Sequence, residues 1–172
     1  MVLTNYYQRK IKKKNKMKKL NGILGLVFVG ATFVLSLNSC KGTFQCHEDN
    51  ISAAGADDSH NKGQNCMVCH QAKGEGEGCF IAAGTVYDMG MTNTVSSGKV
   101  DFYTGPNETG TLKQTVLIDS KGNFYTTAQF NPEGLYPVIT GPTGNKKMMG
   151  SSLSTGACNS CHGSSTDKLW VD

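Results

Sequence analysis

A mainly β fold, an antiparallel β-sandwich between two loop-rich segments, is the class this sequence predicts, and three observations carry that prediction. From Phe80 to Met149 the chain is rich in β-branched and aromatic residues. These fall into short runs at near-regular spacing, and clusters of Gly, Pro, Asn and Asp separate the runs. The first run is Phe80 to Tyr87. Lys99 to Thr104 follows, with Val100 and Phe102 on one face by the period of two, and ends in the turn cluster Thr104-Gly105-Pro106-Asn107. Leu112 to Asp119 puts Leu112, Gln114, Val116 and Ile118 on one face and runs into Asp119-Ser120-Lys121-Gly122-Asn123. Asn123 to Thr127 and Leu135 to Thr140 complete the set, the last closing on Thr140-Gly141-Pro142-Thr143-Gly144. Gly supplies positive φ and Pro a preset φ in such turns. The flanks lack the pattern. Gly74, Gly76 and Gly78 alternate with charge and read as a flexible exit, not as a phosphate loop, since no Lys-Ser/Thr ending or helix follows.

The N-terminus has the layout of an export signal. Met1 to Lys19 carries eight basic residues and no acidic one, and the apolar run Ile23 to Leu37 follows. The run ends at Leu37-Asn38-Ser39-Cys40, which resembles a bacterial lipoprotein cleavage box with Cys40 as the lipidated residue. Met17-Lys18-Lys19-Leu20 would itself open an ordinary leader. Cleavage before Cys40 leaves 133 residues (172 − 39), about one small domain. It also reverses the charge: nine of the seventeen basic residues remain against thirteen acidic ones, so a formal +4 becomes 9 − 13 = −4. With the basic leader gone, no basic patch with interleaved aromatics is left, and nucleic acid is not an expected partner. An uncleaved membrane anchor is the alternative reading of the apolar run, which is short for a spanning helix.

Two pentapeptides of the form Cys-x-x-Cys-His flank the β region, Cys66-Met67-Val68-Cys69-His70 and Cys158-Asn159-Ser160-Cys161-His162. That spacing is the signature of c-type haem attachment: two thiols form thioethers to one haem, and the next residue offers its imidazole to the iron. Covalent attachment of two haem c groups is therefore expected, through Cys66, Cys69, Cys158 and Cys161, with His70 and His162 as proximal ligands. Zinc ribbons place a second Cys pair about 15–20 residues on, far closer than Cys158 stands to Cys69. A thioredoxin-like pair needs a strand-helix context that neither motif has.

Subtraction assigns what remains. Of seven cysteines, Cys40 takes lipid, four take haem, and Cys46 and Cys79 are left as a candidate disulfide in an oxidising compartment. Closing that loop would contribute roughly 3–4 kcal/mol in the chain-entropy model. Two unpaired buried thiols, or a one-cysteine haem site at Cys46-His47, are the alternatives. Of four histidines, two are proximal, so His60 and His47 are the candidate distal ligands. Met148 and Met149, shortly before the second motif, are the competing ones.

The elements "NCMVCH … FIAAGTVYD … LIDSKGNFYTT … LYPVITG … GACNSCHG" together resemble a group of small exported dihaem cytochromes of Gram-negative bacteria, in which a carboxypeptidase-regulatory-like, transthyretin-like β-sandwich is inserted between two haem motifs. The resemblance covers roughly Ser59 to Asp172. It implies electron transfer in or on the cell envelope, and its β pattern bears on fold more than on function.

The resulting expectation divides the chain into a signal peptide at 1–39, an N-terminal haem-binding segment at 40–78, a β-sandwich at 79–149 and a C-terminal haem-binding segment at 150–172. Folding should bring the two motifs together, with neighbouring haems on one face. The expected function is that of an electron carrier, not an enzyme: a dihaem lipoprotein, periplasm-facing or on the outer membrane. Its partners would be other redox proteins of the envelope, and the membrane through its lipid anchor. A dihaem peroxidase-like enzyme or a gas or redox sensor with one open iron is the first alternative. A haem-free β-sandwich adhesion or binding module is the second.

Overall fold

The computed structural model describes Cys46 and residues 59–172. The expected leader, the candidate lipidation residue Cys40 and the candidate ligand His47 lie outside the described residues, which all belong to one unit, Thr43–Asp172. Among the described residues no helix is long and apolar enough to cross a membrane.

The fold is mainly β. Among the described residues seven strands form two sheets: β1 (Ala82–Tyr87), β2 (Gly98–Tyr103), β3 (Leu112–Ile118), β4 (Asn123–Thr126), β5 (Tyr136–Thr140), β6 (Lys146–Met148) and β7 (Leu169–Trp170). One sheet has the order β4-β1-β7 and the other β3-β2-β5-β6. All pairs are antiparallel except β1 with β7, which run parallel. The first five strands fall where the β-branched runs place them. The turn clusters act as expected too: Asp119 Oδ1 accepts from the backbone N–H of Lys121 and of Asn123 at 2.8 and 2.9 Å. Gly122 sits between them at φ 83°, a left-handed conformation that favours glycine. This turn carries the chain from the second sheet into the first.

The main buried cluster draws on both sheets. Ala82, Val86 and Phe124 of the first meet Val100, Phe102, Val116, Ile118 and Ile139 of the second. The alternation read in β2 holds, since Val100 and Phe102 are both buried. In β3 it holds only toward the C-terminal end: Val116 and Ile118 are buried whereas Leu112 is 46% exposed. The start of β3 reaches past the core.

The smaller sheet has two different faces. Ala82 and Val86 face the main cluster, whereas the intervening Ala83 joins a second cluster with Phe80 and Tyr125. Neighbouring residues of β4 divide in the same way, Phe124 to the main cluster and Tyr125 to the second, as the strand period of two requires.

Cys46 and Cys79 are disulfide-bonded, with Cα atoms 4.9 Å apart, whereas Cys66, Cys69, Cys158 and Cys161 are free thiols. The pair left over by subtraction is the pair that bonds.

Candidate functional site

Both pentapeptides adopt one local conformation. The first three residues of each motif form a single 3-10 turn, Cys66–Val68 and Cys158–Ser160. In the first, the N–H groups of Cys69 and His70 both donate to the Cys66 carbonyl at 3.2 and 2.9 Å. In the second, Cys161 and His162 donate to the Cys158 carbonyl at 3.3 and 3.0 Å. The turn brings both thiols and the imidazole of a motif into one neighbourhood. The first thiol of each is the more buried and the second is exposed. Burial pushes the Cys66 thiol up and the Cys158 thiol up to about 12, so both are protonated at neutral pH.

The two imidazoles are held alike. His70 Nδ1 lies 2.8 Å from the Glu77 carbonyl oxygen, and His162 Nδ1 lies 2.8 Å from that of Asp167. A carbonyl can only accept, so each of these bonds needs its proton on Nδ1. A metal-binding histidine is commonly oriented by such a bond through its second nitrogen.

The stretch after the first motif, expected to be a flexible exit, is instead a hydrogen-bonded clasp. Gly74 N–H donates to Gln71 O and Gly76 N–H to Cys69 O. Gly76 lies against the His70 ring so closely that a Cβ there would come within 2.7 Å of Nδ1. Phe80 stacks on the ring at 4.1 Å between centroids, and Tyr125 continues the stack at 4.9 Å from Phe80. Sequence reading missed Glu77 and Asp167, because a backbone acceptor leaves no trace in residue type. The Gly-x-Gly spacing was the available signal for Gly76.

Each motif opens on a cavity of about 490 Å³, within the roughly 300–1,000 Å³ range of small-molecule sites. The N-terminal cavity is lined by Cys66, Cys69 and His70 together with His60, Phe80 and Tyr125. His60 faces His70 with ring centroids 5.8 Å apart. Two imidazoles ligating one metal from opposite sides stand about 6 Å apart, given metal–nitrogen bonds of about 2 Å. The C-terminal cavity is lined by Cys158, Cys161 and His162 together with Phe124, Ile139 and Leu153, and both Met148 and Met149 border it. These residues fit a haem: paired thiols, an oriented imidazole and an apolar wall recur at both places. Among the described residues no three His, Cys, Asp or Glu side chains converge as a metal cluster. A porphyrin brings its own four nitrogens and needs no such cluster.

Folding brings the motifs together. Asn159, inside the second motif, donates through Nδ2 to the carbonyl of Gln64, two residues before Cys66, at 3.1 Å. Asn159 Oδ1 accepts from Thr85 N–H in the middle of β1 at 3.1 Å. The Thr85 hydroxyl donates to Asn123 Oδ1 at 2.7 Å and accepts from Gly63 N–H at 2.9 Å. Asn123 Nδ2 in turn donates to the Ser59 hydroxyl and the His60 carbonyl. Thr85, Asn123 and Asn159 are all buried. One polar hub therefore fixes the His60 backbone, the approach to the first motif and the second motif at once.

The expectation of a single shared face is corrected by the alternation of β4. Phe124 lines the C-terminal cavity and Tyr125 the N-terminal one, so the cavities open on opposite faces of the three-stranded sheet. The second motif is a loop cut into that sheet's edge: Ala157 bridges to Ala83 before it, and β7 pairs with β1 after it. Searches against protein-family models, curated proteins and solved structures found no match for this chain.

Proposed function

We propose that the chain is a dihaem c-type cytochrome that carries electrons in the cell envelope as a lipid-anchored protein, its two sheets forming an antiparallel β-sandwich between the haem-binding segments. The observation that carries this reading is the repeated site: the same 3-10 turn, the same Nδ1-to-carbonyl bond at 2.8 Å and a cavity of the same size at both pentapeptides. Cys66, Cys69 and His70 would hold one haem, and Cys158, Cys161 and His162 the other. Haem supplies one-electron chemistry when bound. The chain contributes position and environment. The Glu77 and Asp167 carbonyls fix the proximal rings, Phe80 and Gly76 clamp His70, and apolar side chains supply part of each cavity wall. The bond from Asn159 to Gln64 keeps the two sites adjacent, as electron transfer between them needs. A main core shared by both sheets supports the sandwich.

His60 beside His70 favours a filled sixth position, and thus a carrier over an open-site enzyme or sensor. Both irons should be low-spin in electron paramagnetic resonance, and the reduced protein should take up no carbon monoxide. Stoichiometric carbon monoxide binding would favour the enzyme or sensor. A second expectation concerns the clamp. Gly76→Ala should push the His70 ring off its carbonyl and convert part of the N-terminal site to high spin while the C-terminal signal stays unchanged. An unaltered spectrum would show that the clamp has no such role.

A further inference from the structure

We infer that the two sites are built unequal. His60 completes the N-terminal site, the thioether of Met149 completes the C-terminal one, and the C-terminal iron is the one of higher potential, where an electron entering the chain comes to rest. The inference rests on the haem reading above and specifies its two sites.

The donors differ first. Among the described residues, the N-terminal cavity is bordered by a second imidazole, His60, and by no methionine. Among the same residues, the C-terminal cavity is bordered by no imidazole besides His162, and its soft donors are Met148 and Met149. Met148, at the end of the edge strand β6, is 40% exposed. Met149 is half-buried against the main core, and its N–H donates to the carbonyl of Pro137, another cavity residue, at 3.2 Å. Methionine as an axial ligand raises the potential of a haem relative to histidine, because thioether sulfur stabilises the ferrous state.

Charge points the same way. Among the described residues, Glu75 and Glu77 line the N-terminal cavity, with the Lys121 ammonium on the Ser59 carbonyl at its edge, whereas Lys147 and Lys168 line the C-terminal one against Asp167. Negative charge favours the ferric iron and positive charge the ferrous. The two cavities are alike in size, so donor set and charge distinguish them, and both have the same sign. One electron would be supplied by a one-electron donor of still lower potential. It would pass from ferrous iron at the first site to ferric iron at the second, with no bond made or broken.

Potentiometric titration of the haem-loaded protein, followed optically and by electron paramagnetic resonance, tests this. Two resolved waves are expected. Met149→His should move only the upper wave, to lower potential, and abolish the near-infrared methionine–iron band. His60→Met should move only the lower wave, upward. Glu75→Gln should raise the lower wave without altering either ligand set, and so provides a test even where a ligand variant fails to fold. Coincident waves, an upper wave that tracks His60, or a methionine band lost in Met148→His but kept in Met149→His would overturn the inference while leaving two haems in place. A preparation with no covalent haem on a stained gel would instead overturn the haem reading beneath it.

Discussion

Replacing Cys158 and Cys161 with alanine should remove one haem of two and destabilise the folded domain more than the same change at Cys66 and Cys69. Both double variants lose two thioethers, so each should lose the mass of one haem. Their stabilities should differ because of where the first thiol lies. Cys158 packs in the main core with residues of both sheets, whereas Cys66 is a partly buried neighbour of a three-residue cluster. Trimming a buried side chain costs its transfer free energy plus a cavity term, on the order of 1–2 kcal/mol for one heavy atom in a core that cannot collapse. The C-terminal cavity wall includes Val100, Phe124 and Ile139, so loss of its haem also exposes apolar surface shared by the two sheets. Urea unfolding of the two double variants, with intact mass measured on the same samples, checks both parts. Equal midpoints would contradict the placement of Cys158 in the core.

Asn123→Leu should have the largest effect among residues outside the motifs. Asn123 is 3% exposed, and its side chain accepts from the Thr85 hydroxyl while donating to Ser59 and to the His60 carbonyl. Leucine matches its volume but strands those groups, and each buried polar group left without a partner costs about 1–3 kcal/mol. A total loss of roughly 2–4 kcal/mol is expected, given that the exposed end of the segment can rehydrate. The spectroscopic consequence is specific. With its carbonyl released, His60 should no longer hold its place opposite His70, and the N-terminal site should show a high-spin fraction. A full-strength low-spin signal in Asn123→Leu would separate the hub from the placement of His60.

Much of this architecture is legible in the residues. Strands β1 to β5 follow from alternation and β-branched content, and their turns from Gly, Pro and Asp. The two strands that the sequence conceals are short and carry no pattern. In β6, Lys146, Lys147 and Met148 are all exposed, so no buried face marks the period. The two residues of β7 become a strand only because β1 lies alongside, a pairing between residues far apart in sequence. The candidate attachment residues are legible because the proposed haem c chemistry needs thiols and imidazole at fixed spacing. Subtraction leaves His60 and His47 as candidate distal ligands; the ring centroid of His60 lies 5.8 Å from that of His70, and His47 lies outside the described residues.

What sequence hides is register and backbone chemistry. The expectation of one shared face fails at Phe124 and Tyr125, whose adjacency puts one cavity on each side of the sheet. Which motif pairs with which of them depends on how β4 lies against β1, where Gly84 faces Phe124 and Ala83 faces Tyr125. The carbonyls of Glu77 and Asp167 orient the two histidines without any demand on side-chain identity. Asn159 shows the same limit, since a residue in the variable part of a motif gives no sign that it will join the two sites.

Intact mass of the full chain, expressed in a host that attaches haem c and purified from its envelope, tests the central claim most directly. The account predicts a polypeptide heavier than its apo form by two haems, with Cys66, Cys69, Cys158 and Cys161 all resistant to alkylation after denaturation. A protein of apo mass whose four motif thiols all alkylate would contradict it.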